Sequence, residues 1–280
     1  MSILIAGGNG EVGKDISNLL SKRYKVIIGS RSQKISKKGN IVFKKIDFSK
    51  NIRLKEKIDL IINCIATHNY SKKKNFDDFY KSNILSILNL IKFAEEKKIK
   101  IINLSTISIY DFSSSHQKNE DEIDIAKDML GTTKYIGEKL LEISEVNTIN
   151  LRMPGVLTKN KIAKRPWLRG IINEIMKKKK INAFNLDKKF NSVIDTKEIY
   201  DFIIHVIKSK FISGNYNFMA NHPLKLKKII EIIKKVMKSD SKIVDCGLKK
   251  TLFISNKKIK KRFKFKISSV KKIILRNLND

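Results

Sequence analysis

Short apolar runs rich in β-branched residues alternate along this chain with longer segments whose apolar positions recur every three to four residues. The runs are "SILIA" (Ser2–Ala6), "KVIIG" (Lys25–Gly29), "IVFKKID" (Ile41–Asp47), "IDLIINCIA" (Ile58–Ala66), "KIINLS" (Lys100–Ser105) and "TINLRM" (Thr148–Met153). Helical periodicity marks "VGKDISNLLSKR" after the first run and the long segment Phe76–Lys98 between the fourth and fifth. Strand and helix in alternation predict parallel strands joined by right-handed crossovers. The expected fold class is therefore α/β, a doubly wound parallel sheet. Past Pro154–Gly155 the pattern loosens. "RPWLRGIINEIMKKKK" reads as a helix with Pro166 in its first turn, and smaller elements follow. The chain reads as a main domain over residues 1–160 and a small C-terminal α/β lobe over 161–280, with a segment near 190–210 returning to the first.

A length of 280 residues with 41% hydrophobic content supports a sizeable core and excludes a disordered chain. No apolar run is long enough to span a bilayer. The opening "MSILIAGG" lacks a basic lead-in, so it reads as a strand and not as a signal peptide. Cys64 and Cys246 stand in no metal or redox spacing, so no metal site is expected, Cys64 reads as an inert thiol, and the compartment reads as cytoplasmic. Charge alters this picture. Sixty Lys plus Arg against 27 Asp plus Glu give +33. Lysines lie along the whole chain beside abundant Ile and Asn, a pattern of A- and T-rich codon drift. The densest stretch, "KKTLFISNKKIKKRFKFKISSVKK", interleaves Phe253, Phe263 and Phe265 with lysines, which keeps nucleic acid as an alternative partner.

"ILIAGGNGEVG" sets Gly7, Gly10 and Gly13 at the first strand–helix junction. The first suits a tight turn, the second a close approach of backbone to a pyrophosphate, and the third close helix–strand packing. This Gly-x-x-Gly-x-x-Gly loop resembles that of the extended short-chain dehydrogenase/reductase family. The resemblance implies a Rossmann-type domain whose loop, Gly7, Gly8, Asn9, Gly10, Glu11, Val12 and Gly13, holds a nicotinamide dinucleotide. Arg31 follows Gly7 by 24 residues, where many members carry an acid on the adenosine ribose. Its planar fork suits a 2′-phosphate instead, so NADP is expected, with NAD possible. In the family's pattern Asp47 and Phe48 meet the adenine, and Ile65 and Ala66 line the cofactor. Asn83 matches the family's helix asparagine, with a place on the helix surface as its alternative.

"NLSTISIYD" matches the family's Ser-Ser-x-x-Val-Tyr signature and puts Thr106 where a hydroxyl meets substrate. "LGTTKYIGE" matches the helix motif Tyr-Gly-x-Ser/Thr-Lys-x-x-Gly-Glu at Gly131, Thr133, Lys134, Gly137 and Glu138, with Leu130 in the tyrosine's place. A competing register uses Tyr135 and Lys139. Five residues along a helix turn a side chain by about 140° net and move it about 7.5 Å, so both registers cannot face one site. Leu130 follows Thr106 by 24 residues, as in the family, and Tyr135 by 29. The favoured register makes Lys134 the ribose ligand and removes the proton that a tyrosine would exchange.

"INLRMPGVLTKN" and "FNSVIDTKEIYDFI" resemble the nucleotide-sugar epimerase/dehydratase branch, in which the segment around Asn191 and Val193 returns the chain to the main sheet. Asn191 joins Asn83 and Thr106 as a candidate substrate residue. The basic segment Lys159–Lys180 suits a substrate diphosphate, and Trp167 either anchors a helix start or stacks on a ring. The resemblance implies an NAD(P)-dependent oxidoreductase, epimerase or dehydratase acting on a nucleotide-activated sugar in surface-polysaccharide synthesis, in a chain that can form a homodimer. Two other classes stay open. One is a catalytically impaired NADP-binding protein that senses or scaffolds. The other is a basic nucleic-acid binder on the same fold.

Overall fold

β1 (Ser2–Ala6) is buried on both faces, with only Ser2 partly exposed. A strand buried on both faces needs helices above and below it, which is why it reads as one continuous apolar run. The structure, a computed structural model, describes residues 1–31, 35–68, 75–112, 118–121, 127–160, 166–249, 251 and 253–279. Residues 161–165 of the basic segment, and 250 and 252 of the C-terminal lysine run, lie outside the described residues.

β1 pairs in parallel with β2 (Lys25–Ser30) and β5 (Leu60–Asn63). Outward from these, β2 pairs in parallel with β4 (Ile41–Lys45), and β5 with β6 (Lys100–Thr106). The exposed β3 (Ser36–Lys38) runs antiparallel to β4 at one edge. With β7 (Thr148–Met153) and β12 (Gly214–Asn217) the sheet has eight strands in the order β12-β7-β6-β5-β1-β2-β4-β3. Strand succession reverses at β1, so the switch point lies between β1 and β5. This is the Rossmann-type doubly wound sheet.

α1 (Glu11–Leu20) links β1 to β2. α2 (Phe76–Phe79), a π-helical turn over Tyr80–Leu85 and α3 (Ser86–Lys97) link β5 to β6. α4 (Met129–Ile143) precedes β7. Leu4, Ile27, Ile61 and Ile101 from the sheet pack with Ile87, Leu90 and Phe93 from α3 in one buried cluster. Each such side chain contributes roughly 1.5–3 kcal/mol relative to exposure.

Contacts divide the chain into two compact units. One comprises Met1–Asp111, Ile123–Arg152 and Tyr200–Tyr216; the other comprises Phe112–Glu122, Met153–Ile199 and Asn217–Asp280. In the second unit β8 (Val156–Leu157) pairs in parallel with β11 (Ile194–Asp195), and β9 (Ile181–Ala183) with β14 (Ile243–Asp245). β10 (Lys189–Phe190) pairs antiparallel with β13 (Leu224–Lys225). Around these strands lie α5 (Trp167–Met176), α7 (Leu226–Val236), α8 (Lys257–Phe263) and α9 (Val270–Asn279). The chain re-enters the first unit within α6 (Thr196–Lys208), and the strand that then joins the main sheet is β12, not the segment around Asn191 and Val193. In the second unit Arg276 clamps Asp195 through two 2.8 Å hydrogen bonds and reaches Glu198 at 3.0 Å. Burial pushes the Asp195 carboxyl up, against the pull of Arg276.

Candidate functional site

The turn after β1 depends on glycine. Gly7 has φ +79°, and a Cβ there would lie 3.0 Å from the Ile65 nitrogen. Both the left-handed backbone and the approach of the β5 exit therefore exclude a side chain. A Cβ on Gly13 would lie 2.7 Å from the Gly7 oxygen, so α1 presses directly on the loop. Gly10 differs: its nearest neighbour in that direction is the Gly7 oxygen at 3.5 Å, which leaves open ground. Gly10 also caps α1 without any side-chain hydrogen bond. The first-turn N–H groups of Glu11, Val12 and Gly13 have no intrahelical acceptor, and the positive end of the helix dipole reinforces them. Such a cradle fits a pyrophosphate through backbone alone. Asn9 fixes the loop by donating to Ser30 Oγ at 2.8 Å at the end of β2, and Gly8 packs on Ile28.

Arg31 is exposed just past β2. Asp47 lies near it beyond β4; the Ser49 hydroxyl and amide hold its carboxyl below the usual range, and the Arg31 charge assists. Phe48 is buried, and a Cβ on Gly29 would meet its ring at 2.5 Å. That ring is spent on the core, while the Phe48 carbonyl accepts from Asn89 Nδ2 at 3.0 Å.

A second group of candidate residues stands on β5 and α4. The strand expected to reach Ala66 ends at Asn63, because the Asn63 side-chain oxygen takes the Ile65 N–H at 3.1 Å. Cys64, Ile65 and Ala66 then lie half-exposed in succession. Lys134 is buried and donates from Nζ to the carbonyls of Leu104 (2.9 Å) and Ile65 (3.3 Å). Burial lowers its pKa to about 8, against the opposing influence of Glu138 and Cys64. Burial pushes the Cys64 thiol up to about 12, against the opposing charge of Lys134. Asn83 is buried in the π-helical turn. Its oxygen accepts from the Thr67 N–H at 3.0 Å, and its Nδ2 donates to Thr133 Oγ1 at 2.9 Å and to the Thr67 carbonyl at 3.3 Å. These bonds clamp the β5 exit to α4 and leave Asn83 acting through the loop it holds.

α4 presents two different faces. Asp128 caps its N-terminus by accepting from the Gly131 N–H at 3.0 Å. Leu130, Lys134, Gly137 and Glu138 are buried. A Cβ on Gly137 would lie 2.8 Å from the Asn83 carbonyl, so a glycine lets the helix lie on the π-helical turn. Tyr135 is half-exposed and Lys139 exposed. The Lys139 ammonium stands 5.4 Å over the Tyr135 ring and pairs with Glu142 at 2.6 Å. Thr106 closes β6 half-buried, its Oγ1 accepting from the Ser108 N–H and donating to Ser108 Oγ, both at 3.1 Å. Ser105 Oγ, beside it, is buried and has no hydrogen-bond partner among the described residues.

In the second unit, Asn191 donates to the Ile254 carbonyl at 2.9 Å, and its buried Oδ1 has no partner among the described residues. Trp167 begins α5 with its ring 5.6 Å from that of Phe190. Among the described residues no cluster of His, Cys, Asp and Glu has the makings of a metal site, and no helix is long and apolar enough to cross a membrane. Sequence reasoning passed over Asn63 and Ser105. The available signal was the recurrence of a polar residue near the end of each buried run, in "IINC" and "IINLST".

The model of a family described as RmlD substrate binding domain matches residues 1–251. Among solved structures, the chain is similar to the Bordetella bronchiseptica enzyme WbmG in complex with NAD, with a TM-score of 0.82 and 15% identity, over 100% of this chain and 93% of that one. It is similar to the UDP-glucose 4-epimerase of Thermotoga maritima with UDP-glucose (0.81, 15%, covering 100% and 98%). A dTDP-4-dehydrorhamnose reductase of Clostridium acetobutylicum aligns with a TM-score of 0.79 at 18% identity, over 100% and 99%. At these identities the structures establish a shared fold.

Proposed function

The chain belongs to the RmlD substrate binding domain family, within the extended short-chain dehydrogenases/reductases, and from that premise we propose an NADP-linked enzyme that reduces a nucleotide-activated keto sugar. The observation that carries the reading is the pairing, in one unit, of an uncapped glycine cradle after β1 with a buried Lys134 held on the carbonyls of Ile65, past β5, and Leu104, on β6. When bound, the nicotinamide supplies or accepts a hydride. The loop Gly7–Gly13 and the start of α1 take the pyrophosphate. Arg31 takes the 2′-phosphate, Asp47 and the Phe48 backbone border the adenine, and the Ile65–Ala66 backbone lines the ribose. Lys134 hydrogen-bonds the nicotinamide ribose from its carbonyl anchors. Thr106 offers its hydroxyl to the sugar oxygen.

Leu130 bears on the rate. It occupies the tyrosine's place one helical turn before Lys134 and has no proton to exchange. Losing a general acid/base costs roughly 10²–10⁴ in rate. Turnover then rests on Thr106, a solvent proton or a substrate hydroxyl. This same residue favours, as the second reading, a cofactor-binding protein with impaired catalysis. The proposal includes a cytoplasmic role in surface-polysaccharide synthesis; two structures of the same fold are named for sugar-nucleotide chemistry. The test is stopped-flow oxidation of NADPH with a set of 4-keto nucleotide sugars. Substrate-dependent oxidation supports the enzyme. Cofactor binding without oxidation favours the second reading, and no binding of either nicotinamide cofactor overturns both.

A further inference from the structure

Four asparagines on four strands join side chain to side chain across the first unit. Asn63 on β5 donates to Asn103 on β6 at 2.9 Å, Asn103 to Asn150 on β7 at 2.7 Å, and Asn150 to Asn215 on β12 at 2.9 Å. Asn215 then donates to Glu142 Oε1 on α4, whose other oxygen holds Lys139 at 2.6 Å. At the opposite end, the Asn63 oxygen takes the Ile65 N–H.

The direction of this chain is fixed by its ends. A backbone N–H only donates, so Asn63 must present its oxygen to Ile65. A carboxylate only accepts, so Asn215 must present its NH₂ to Glu142. Every amide between them is thereby oriented, with all donors pointing toward one negative charge. Asn63, Asn103 and Asn150 are at most 2% exposed, so water does not substitute for a lost partner. Amides in series polarise one another: an N–H given to a carboxylate leaves its own carbonyl a better acceptor. At Glu142, burial pushes the carboxyl up, but the hydrogen bonds from Lys139 and Asn215 prevail and hold it below the usual range.

A simple staple of the sheet would end on sheet groups. This chain ends on the amide of Ile65, in the turn beyond β5, and the carbonyl of that same residue holds Lys134. We propose that Asn63–Asn103–Asn150–Asn215, polarised by Glu142, is a positioning relay that sets the Ile65 turn and through it the seat of Lys134. The pair Glu142–Lys139, beside the edge strand β12, thus acts through the sheet on the Ile65 turn. The proposal rests on the reading of Lys134 as the ribose ligand.

The test uses the full chain labelled with ¹⁵N-isoleucine, the Ile65 amide being assigned with Ile65→Val. Glu142→Gln removes the charge at one end, and Asn63→Ala cuts the chain beside Ile65. Glu142→Gln is expected to move the Ile65 amide resonance and to weaken NADPH binding by roughly threefold, at the low end of coupling within one network. Asn63→Ala is expected to weaken binding more, by about tenfold, and the double variant to bind no worse than Asn63→Ala alone. If Asn63→Ala does not fold, Asn63→Asp, which keeps the acceptor for Ile65 and loses the donor to Asn103, takes its place. An Ile65 resonance unmoved by Glu142→Gln, or losses that multiply in the double variant, would leave only a sheet staple. If the wild-type chain binds neither nicotinamide cofactor, the proposed function fails, and the Ile65 resonance alone still decides the relay.

Discussion

Arg152 and Glu138 form an ion pair from which water is excluded: both side chains are fully buried, and the guanidinium meets Glu138 Oε2 through Nε at 3.0 Å and Nη2 at 2.8 Å. Nη1 of Arg152 adds a 3.1 Å bond to the Tyr110 hydroxyl. Burial pulls the Arg152 pKa down, but the Glu138 charge beside it more than offsets this and keeps it above the ordinary arginine value. The pair joins α4 to β7 beneath the site, so the helix that carries Lys134 is fixed by a contact with no solvent substitute. Removing one partner strands the other charge, so Glu138→Ala is expected to lose about 3–5 kcal/mol of stability. The exposed Lys139→Ala should stay within about 1 kcal/mol of wild type. Urea unfolding of the two variants checks the contrast.

The main sheet was legible because its strands are buried on both faces and leave continuous β-branched runs; Thr148–Met153 emerges with the bounds its sequence implies. Three features were not legible, each for its own reason. β3 is three exposed residues, "SKK", with no apolar face to show. The π-helical turn at Tyr80–Leu85 changes the hydrogen-bond step by one residue, which a 3.6-residue apolar period hides. The early end of β5 is set by the Asn63 side chain taking a backbone N–H, a local contest that hydrophobicity does not register. At the site, glycine spacing marked the cradle because φ and close packing dictate residue type there. The seat of Lys134 consists of backbone carbonyls, which any sequence supplies.

Lys134 makes stability depend on alkaline pH. Its folded pKa of about 8 lies below the 10.5 of a free lysine. Between those values the unfolded chain binds the proton more fully than the folded one, so stability rises as pH climbs from about 8 to 10.5. Below pH 8 the burial cost is present in full. The stability of wild type relative to Lys134→Met is therefore expected to increase across that window, by at most about 3 kcal/mol. Denaturant midpoints for both proteins at pH 7, 9 and 10.5 measure it. A difference that is flat or falls with pH would show that the ammonium is not desolvated.

Arg31 should decide the cofactor. A guanidinium at the end of β2 favours a 2′-phosphate and lacks the carboxylate that would accept from a free 2′-hydroxyl. NADPH is expected to bind tighter than NADH, and Arg31→Asp to reverse the order, each by roughly tenfold, the size of one charge-assisted hydrogen bond. Fluorescence titration of both cofactors suffices. Equal affinities in the wild type would remove Arg31 from the site.

The charge of +33 predicts a polyelectrolyte response. Lysines are distributed over both units, so any RNA or DNA binding should come from counterion release and fall by orders of magnitude between 50 and 200 mM salt. Anisotropy titrations at several salt concentrations test this. Nanomolar affinity for one sequence at physiological salt would point to a dedicated nucleic-acid surface.

The register of α4 makes the sharpest prediction about chemistry. Lys134 is seated on the Leu104 and Ile65 carbonyls, while Tyr135 and Lys139 pair with each other where α4 meets solvent. Lys134→Ala should weaken cofactor binding by about tenfold or more, the worth of a hydrogen bond from a charged group. Tyr135→Phe should leave cofactor binding and turnover within about twofold, since its ring lies under the Lys139 ammonium and the loss of a hydroxyl costs little at a half-exposed site. Leu130→Tyr places a phenol one turn before Lys134, whose ammonium favours the phenolate and readies it for proton exchange. With the rest of the site intact, this variant should raise hydride transfer to a 4-keto nucleotide sugar by roughly 10²-fold or more, measured as single-turnover oxidation of NADPH. Abolition of turnover by Tyr135→Phe alone would shift the working register by five residues and assign the proton to Tyr135.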